Sequence, residues 1–185
     1  MIDDVLSEVR DRMEKSVAAL NYDLQAIRTG RASPTLVERL MVEYYGVQTP
    51  LNQMASIGVP EPRMLVIRPW DPSALTAIER AILTSDLGLT PQNDGKIIRL
   101  IIPRLTEERR RELVRVVARR VEEARVAIRN NRRDGLEDLR ELENEKMISE
   151  DDFYRGRDEL QTLTDEYVEK VNEIGKRKEA EVMEI

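Results

Sequence analysis

Three stretches of this chain place apolar residues at alternating spacings of three and four. Such a stripe on an isolated helix has nothing to bury against. In the first stretch Val9, Met13, Val17, Leu20, Leu24 and Ile27 follow at intervals of 4, 4, 3, 4 and 3. Thr29-Gly30 stops the pattern and Ser33-Pro34 confirms the break. In the second, Leu113, Val117, Val121, Ala124, Ile128, Gly135, Leu139 and Leu142 keep a mostly three-four spacing, interrupted at Asn131. A helix from Thr106 to about Met147 would be roughly 60 Å long. Ser149 with Asp152 reads as a variant capping box, with Asp in place of the usual Glu or Gln. It opens a third helix carrying Leu160, Thr164, Tyr167, Val171 and Ile174 on one side. Three amphipathic helices of this kind bury their stripes against one another, which predicts an antiparallel three-helix bundle.

The segment between the first two helices differs in kind. From Leu36 to Pro103 it holds seven of the eight prolines, and its apolar residues come in short runs. Leu40 to Tyr45, closed by Gly46, reads as a strand; Met64 to Ile67, ended by Pro69, as a second; Ile97 to Ile102, entered through the turn Asn93-Asp94-Gly95, as a third. Between the second and third, Asp71 caps a helix with Pro72 at its first position, Ala74, Ile78 and Ile82 on one face and Gly88 as terminator. The fold class is therefore α+β, with a small β/α/β domain inserted into the bundle. Residues 1–29 and 105–185 form the bundle and residues 31–103 the insert. Hinges fall near 29–31 and 102–105, at Thr29, Gly30, Arg31, Pro103, Arg104 and Leu105. Composition agrees: 36% charged and 4% aromatic residues suit long solvated helices.

The sequence argues against enzymatic chemistry. It has no His, hence not the commonest general base, and no Cys, hence no thiol nucleophile or thiolate metal ligand. No Gly-rich phosphate loop is present. Asp151-Asp152 fits the acidic start of a helix better than a pair of catalytic carboxylates. No cofactor, metal or small-molecule substrate is expected. No apolar run reaches membrane-spanning length and no signal-peptide pattern opens the chain, so a cytoplasmic protein without membrane contact is expected.

The net charge of −6 hides a basic segment. Residues 1–103 carry 11 basic and 13 acidic groups, and residues 134–185 carry 8 and 18. Residues 104–133 carry 11 arginines against 5 acids. Arg125, Arg129 and Arg132, spaced 4 and 3, project from one helix face with Arg133 beside them. Arg28 closes the first helix and Arg31 follows its stop. Ordinary surface charge is the competing reading. It suits Arg109 to Arg111 and Arg119-Arg120, which have glutamates close by. It suits Arg129 to Arg133 poorly, because the first acid after Glu123 is Asp134. Arginine forks onto phosphates and stacks on bases, so RNA binding is the favoured reading. Trp70 reads as a packing anchor of the insert. Tyr44 and Tyr45 alternate across a strand, with no interleaved basic residues to suggest base stacking.

Six segments, in order, carry a family resemblance: IRTGRASP from Ile27, VEYYG from Val42, SDLGL from Ser85, LTEERR from Leu105, ARVAIRNNRRD from Ala124 and ISEDD from Ile148. Over its full length the chain resembles bacterial ribosome recycling factor. That resemblance implies an L-shaped molecule of tRNA-like dimensions, its bundle and smaller domain joined by a hinge. It implies action after peptide release. The 70S ribosome is bound through large-subunit RNA and, with the GTPase elongation factor G, split into subunits so that mRNA and tRNA are freed. The partner hydrolyses the GTP, and the factor, expected to be a monomer, has no catalytic site. Arg28, Arg31, Arg129, Arg132 and Arg133 stand where the family contacts RNA. Gly135 and Asn131 are departures, and Gly135 is expected to loosen the long helix by up to about 1 kcal/mol. A structural coiled-coil adaptor and an enzyme housed in the insert are the rival readings. The insert argues against the first and the missing catalytic residues against the second.

Overall fold

A computed structural model describes residues 1–184. Its contacts divide the chain into two compact units: Met1–Thr29 together with the segment from Thr106, and Gly30–Leu105.

The first unit is built from α1 (Ile2–Gln25), α3 (Glu107–Asn144) and α4 (Glu150–Met183). Thr106 caps α3 by accepting from the Arg109 backbone N–H at 3.1 Å, and Glu107 and Glu108 face the positive end of its dipole. The helix runs 38 residues, about 57 Å. It stops three residues before the expected Met147, in a Schellman turn. The Met147 N–H reaches the Leu142 carbonyl and the Lys146 N–H the Glu143 carbonyl, each at 2.9 Å. Lys146, at φ 59°, takes the left-handed position that glycine usually fills. The capping box at Ser149 follows, with the Asp152 N–H donating to Ser149 Oγ at 3.1 Å and the Ser149 N–H to Asp152 at 3.4 Å.

The three stripes close one core, in which Val9, Met13, Val17, Leu20 and Leu24 meet Val117, Val121, Ala124, Ile128 and Leu139 of α3. From α4 come Leu160, Tyr167 and Val171, joined by Phe153 and Leu163, which lie outside the stripe expected from spacing. Helix directions follow from the contacts. Gly135 lies against Val9 and Leu160, and Gly175 against Val121, so α3 runs antiparallel to both partners. Tyr167 donates to Glu14 at 2.6 Å and Gly156 lies against Ile2, so α1 and α4 run parallel. Burial first, and the bond to Glu14 second, push the Tyr167 hydroxyl up to about 12.

α3 continues unbroken through Gly135, which is buried against both neighbouring helices. A methyl added there would lie 2.6 Å from Val9 Cγ2 and 3.4 Å from Leu160 Cδ1. The absent side chain lets two helices approach closely, so packing offsets the propensity cost. Asn131, the other departure, is half-buried and donates to Ser16 at 3.3 Å.

The second unit has more strand than expected: six rather than three. β1 (Met41–Tyr44) and β2 (Val47–Pro50) form an antiparallel hairpin. The first strand closes at Gly46 as expected, and the chain turns there into β2. Tyr45 and Gly46, at φ 49° and 76°, make the left-handed two-residue turn that suits strand twist. A second sheet, antiparallel throughout, has the order β3-β4-β6-β5 from β3 (Ala55–Glu61), β4 (Met64–Pro69), β5 (Pro91–Asn93) and β6 (Ile98–Ile101). Gly58 and Pro60 disguised β3, and both are tolerated because β3 is an edge. α2 (Leu75–Thr84) follows a 3-10 turn over Pro72–Ala74, which Asp71 caps at the Ser73 N–H, 3.0 Å. Leu75, Ile78 and Ile82 share a core with Leu65, Ile67, Ile98 and Leu100. Trp70 is no packing anchor, since it is 67% exposed. The anchoring polar contact is Tyr44, whose hydroxyl donates to Asp71 at 2.5 Å. That bond raises the Tyr44 hydroxyl to about 12 and lowers the Asp71 carboxyl.

Candidate nucleic-acid interface

Successive residues of an α-helix are about 100° apart, so Arg125, Arg129, Arg132 and Arg133 occupy a sector of about 100° on α3. Ile128, at its border, is buried in the bundle, which sets the sector beside α4 and leaves Arg129 and Arg133 exposed. Arg125 and Arg132 are partly covered, and α4 does the covering. Arg125 Nε donates to Asn172 Oδ1 at 2.8 Å, and Arg132 Nη1 to Gln161 Oε1 at 2.7 Å. Gln161 in turn donates from its amide nitrogen to Asp165 at 2.8 Å.

The carboxylates near these arginines are few and shared. Glu122 accepts from Arg125 at 2.9 Å and from Arg129 at 3.4 Å, one charge divided between two cations. Those bonds, Arg125 first, hold the Glu122 carboxyl below its ordinary range. Glu122 lies seven residues before Arg129, beyond the i+4 reach by which sequence neighbours are paired. Arg133 lies 4.0 Å from Asp134, the limit of an ion pair. Elsewhere on α3 three arginines each have their own acid: Arg109 with Glu112, Arg111 with Glu107, Arg120 with Glu123.

Arg28 does not join this sector. Thr29 bonds Glu181 at 2.9 Å, and the antiparallel register then sets Arg28 opposite residues 115–119 of α3. The separation from Arg129 is roughly 15–20 Å along the axis. Arg31, exposed, belongs to the second unit, as do Gly30, Pro103, Arg104 and Leu105. Gly30 adopts φ +76°, and a methyl built on it would lie 3.5 Å from the Pro103 carbonyl and from Leu105. The chain therefore enters and leaves this unit at adjoining points. Gln161 and Asn172 were not among the residues expected from sequence. Their signal was composition: between Glu150 and Met183 they are the two amides among 11 carboxylates.

No group of acids suited to a metal ion occurs among the described residues, and no helix is long and apolar enough to cross a membrane. A groove between α1 and α4, lined by Leu6, Arg10, Asp158 and Glu166 among others, includes none of the candidate arginines.

The class is thus a three-helix bundle that carries a small α/β unit as an insertion and presents a sector of arginines. Residues 20–183 match the family described as ribosome recycling factor. Ribosome-recycling factors of Roseiflexus castenholzii and Carboxydothermus hydrogenoformans are 60% and 55% identical, over the whole of both chains in each comparison. A solution structure of the ribosome recycling factor aligns with TM-score 0.73 at 43% identity, covering 100% of this chain and 98% of that one. A T. thermophilus ribosome recycling factor, bound with E. coli elongation factor G to the E. coli post-termination complex, aligns with TM-score 0.63 at 47% identity, covering 99% of each. The chain belongs to the ribosome recycling factor family, a family of translation factors.

Proposed function

We propose that this chain binds the post-termination ribosome through large-subunit RNA and, with elongation factor G, splits it into subunits, freeing mRNA and tRNA. The observation that carries the binding step is the arginine sector of α3: four guanidinium groups, Arg125, Arg129, Arg132 and Arg133, against the carboxylates of Glu122 and Asp134. Excess positive charge on a rigid helix tracks a phosphate backbone, and arginine forks onto its oxygens. Arg28 and Arg31 extend the contact. The solved relative bound together with elongation factor G supports the splitting step. In this reading the GTPase does the chemical work and the chain transmits it. The second unit acts as a lever that turns at Thr29, Gly30, Arg31, Pro103, Arg104 and Leu105.

The test is pelleting with vacant ribosomes, alongside light scattering for splitting in the presence of elongation factor G and GTP. Arg132→Ala should weaken binding by about 1–3 kcal/mol while the fold survives. Unchanged binding with an unchanged circular dichroism spectrum would refute the site.

A further inference from the structure

α4 is an acidic helix that touches two arginines of the α3 sector, and it touches both with amides. Of its 13 amide and carboxylate side chains, the two amides are Gln161 and Asn172, and they are the ones bonded to Arg132 and Arg125. Elsewhere on α3, Arg109, Arg111 and Arg120 meet glutamates. A carboxylate at either α4 position would hold the guanidinium as well as an amide does, and would also cancel its charge.

We propose that Gln161 and Asn172 are positioning residues, which aim the Arg132 and Arg125 guanidinium groups while leaving their charge available to phosphate. The inference rests on the arginine-face reading above. A flexible arginine loses rotamer freedom when it binds, and a hydrogen bond already made in the free protein reduces that loss. Each phosphate contact also depends on an uncancelled charge, because binding draws on the counterions that the cation displaces. A neutral acceptor satisfies both requirements.

The geometry at Gln161 is specific to an amide. Its oxygen accepts from Arg132 at 2.7 Å and its nitrogen donates to Asp165 at 2.8 Å. Asp165 thereby turns the amide oxygen toward Arg132. A glutamate cannot donate to Asp165; it would be repelled by that carboxylate and driven onto the arginine. At Arg125 the effect is smaller, because Glu122 already shares its charge.

The experiment is ribosome pelleting across a salt series with the full chain. Gln161→Glu should bind roughly fivefold to tenfold more weakly at low salt, with the slope of log affinity against log salt shallower by about one. Its melting temperature should change little, since the ion pair gained with Arg132 offsets the bond lost to Asp165 and the repulsion between the two carboxylates. A merely structural Gln161 would leave the salt slope unmoved. Gln161→Ala, which loses the aim but keeps the charge, should cost about twofold to threefold with the slope unchanged. Asn172→Asp should follow Gln161→Glu with a smaller effect. In an Arg132→Ala background Gln161→Glu should do nothing further. Equal weakening there would assign the effect to repulsion by the new charge and overturn the proposal. So would wild-type affinity and slope for Gln161→Glu while Arg132→Ala binds weakly. If Arg132→Ala itself binds as wild type, the arginine face fails, and this inference with it.

Discussion

Gly135→Ala sets two effects of known size against each other. Alanine in place of glycine inside an exposed helix gains about 1 kcal/mol of propensity. At this position the new methyl would sit 2.6 Å from Val9 Cγ2, with Leu160 methyls at 3.4 and 3.5 Å on its other side. Carbon atoms are best separated by about 3.5–4.0 Å, so the overlap with Val9 is about 1 Å. Val9 cannot swing aside: it is β-branched, with one strongly preferred rotamer in a helix, and it is 1% exposed. The helices must part, and overpacking of this kind costs about 1–3 kcal/mol. Net destabilisation of up to about 2 kcal/mol is expected, lowering the melting temperature by up to about 8 °C for a chain of this length. Thermal unfolding followed by circular dichroism measures it. Gly156→Ala is the internal control. Its methyl would meet Leu139 at 3.1 Å and Ile2 at 3.3 Å, which small side-chain adjustments relieve, so its change should be within about 0.5 kcal/mol. The two clashing atoms should also couple: Val9→Ala should cost at least about 1 kcal/mol less with alanine at 135 than with glycine. A higher melting temperature for Gly135→Ala would refute the close-approach argument and restore helix loosening as the role of this glycine.

If about four arginines meet phosphates, log affinity for ribosomes should fall with log salt at a slope of roughly −3, and a flat dependence would point to an apolar contact instead. A bundle made by joining Thr29 to Arg104 through a short flexible linker should compete with the full chain for ribosomes yet fail to split them with elongation factor G and GTP. Splitting at the full-length rate would replace the lever with a wedge. Stability should respond to pH at both ends. Asp71, Asp94, Glu122 and Asp152 have lowered carboxyls, so their contribution is complete above the ordinary carboxylate range and is lost as pH falls below about 4. Tyr44 and Tyr167, raised to about 12, contribute fully below pH 10 and lose that contribution as pH climbs past it. Unfolding melts of Asp71→Asn should show a smaller acid loss than wild type, and an identical acid limb would remove Asp71 from the account.

The helices were legible in the sequence because their signal is local and repeated. A seam such as Val9, Met13, Val17, Leu20 and Leu24 needs no knowledge of its partner to declare a face, and all five are buried. Caps are local too: Thr106, Ser149 with Asp152, and Asp71 each bond a backbone N–H two or three residues away. Half the strands escaped for the opposite reason. β2, β3 and β5 carry prolines, a glycine and polar residues, and they become strands only because β1, β4 and β6 lie alongside to accept their backbone bonds. Strand character there belongs to the pair and not to the segment.

For the candidate site, the sequence by itself determined which arginines share a face, since a spacing of 4 and 3 fixes direction on any helix. It also determined that the segment 104–133 is basic, whatever it folds against. Tertiary structure decided everything that depends on a neighbour distant in the chain. Only packing could show that Gln161 and Asn172 reach Arg132 and Arg125 across 29 and 47 residues. Only the helix register could set Arg28 apart from Arg129, and only the approach of Val9 could turn Gly135 from a flaw into a fit. The physical reason is one of range. Propensity, capping and periodicity act within a turn or two of helix. Close approach and the partnering of charges act through space, between segments whose register the local sequence leaves open.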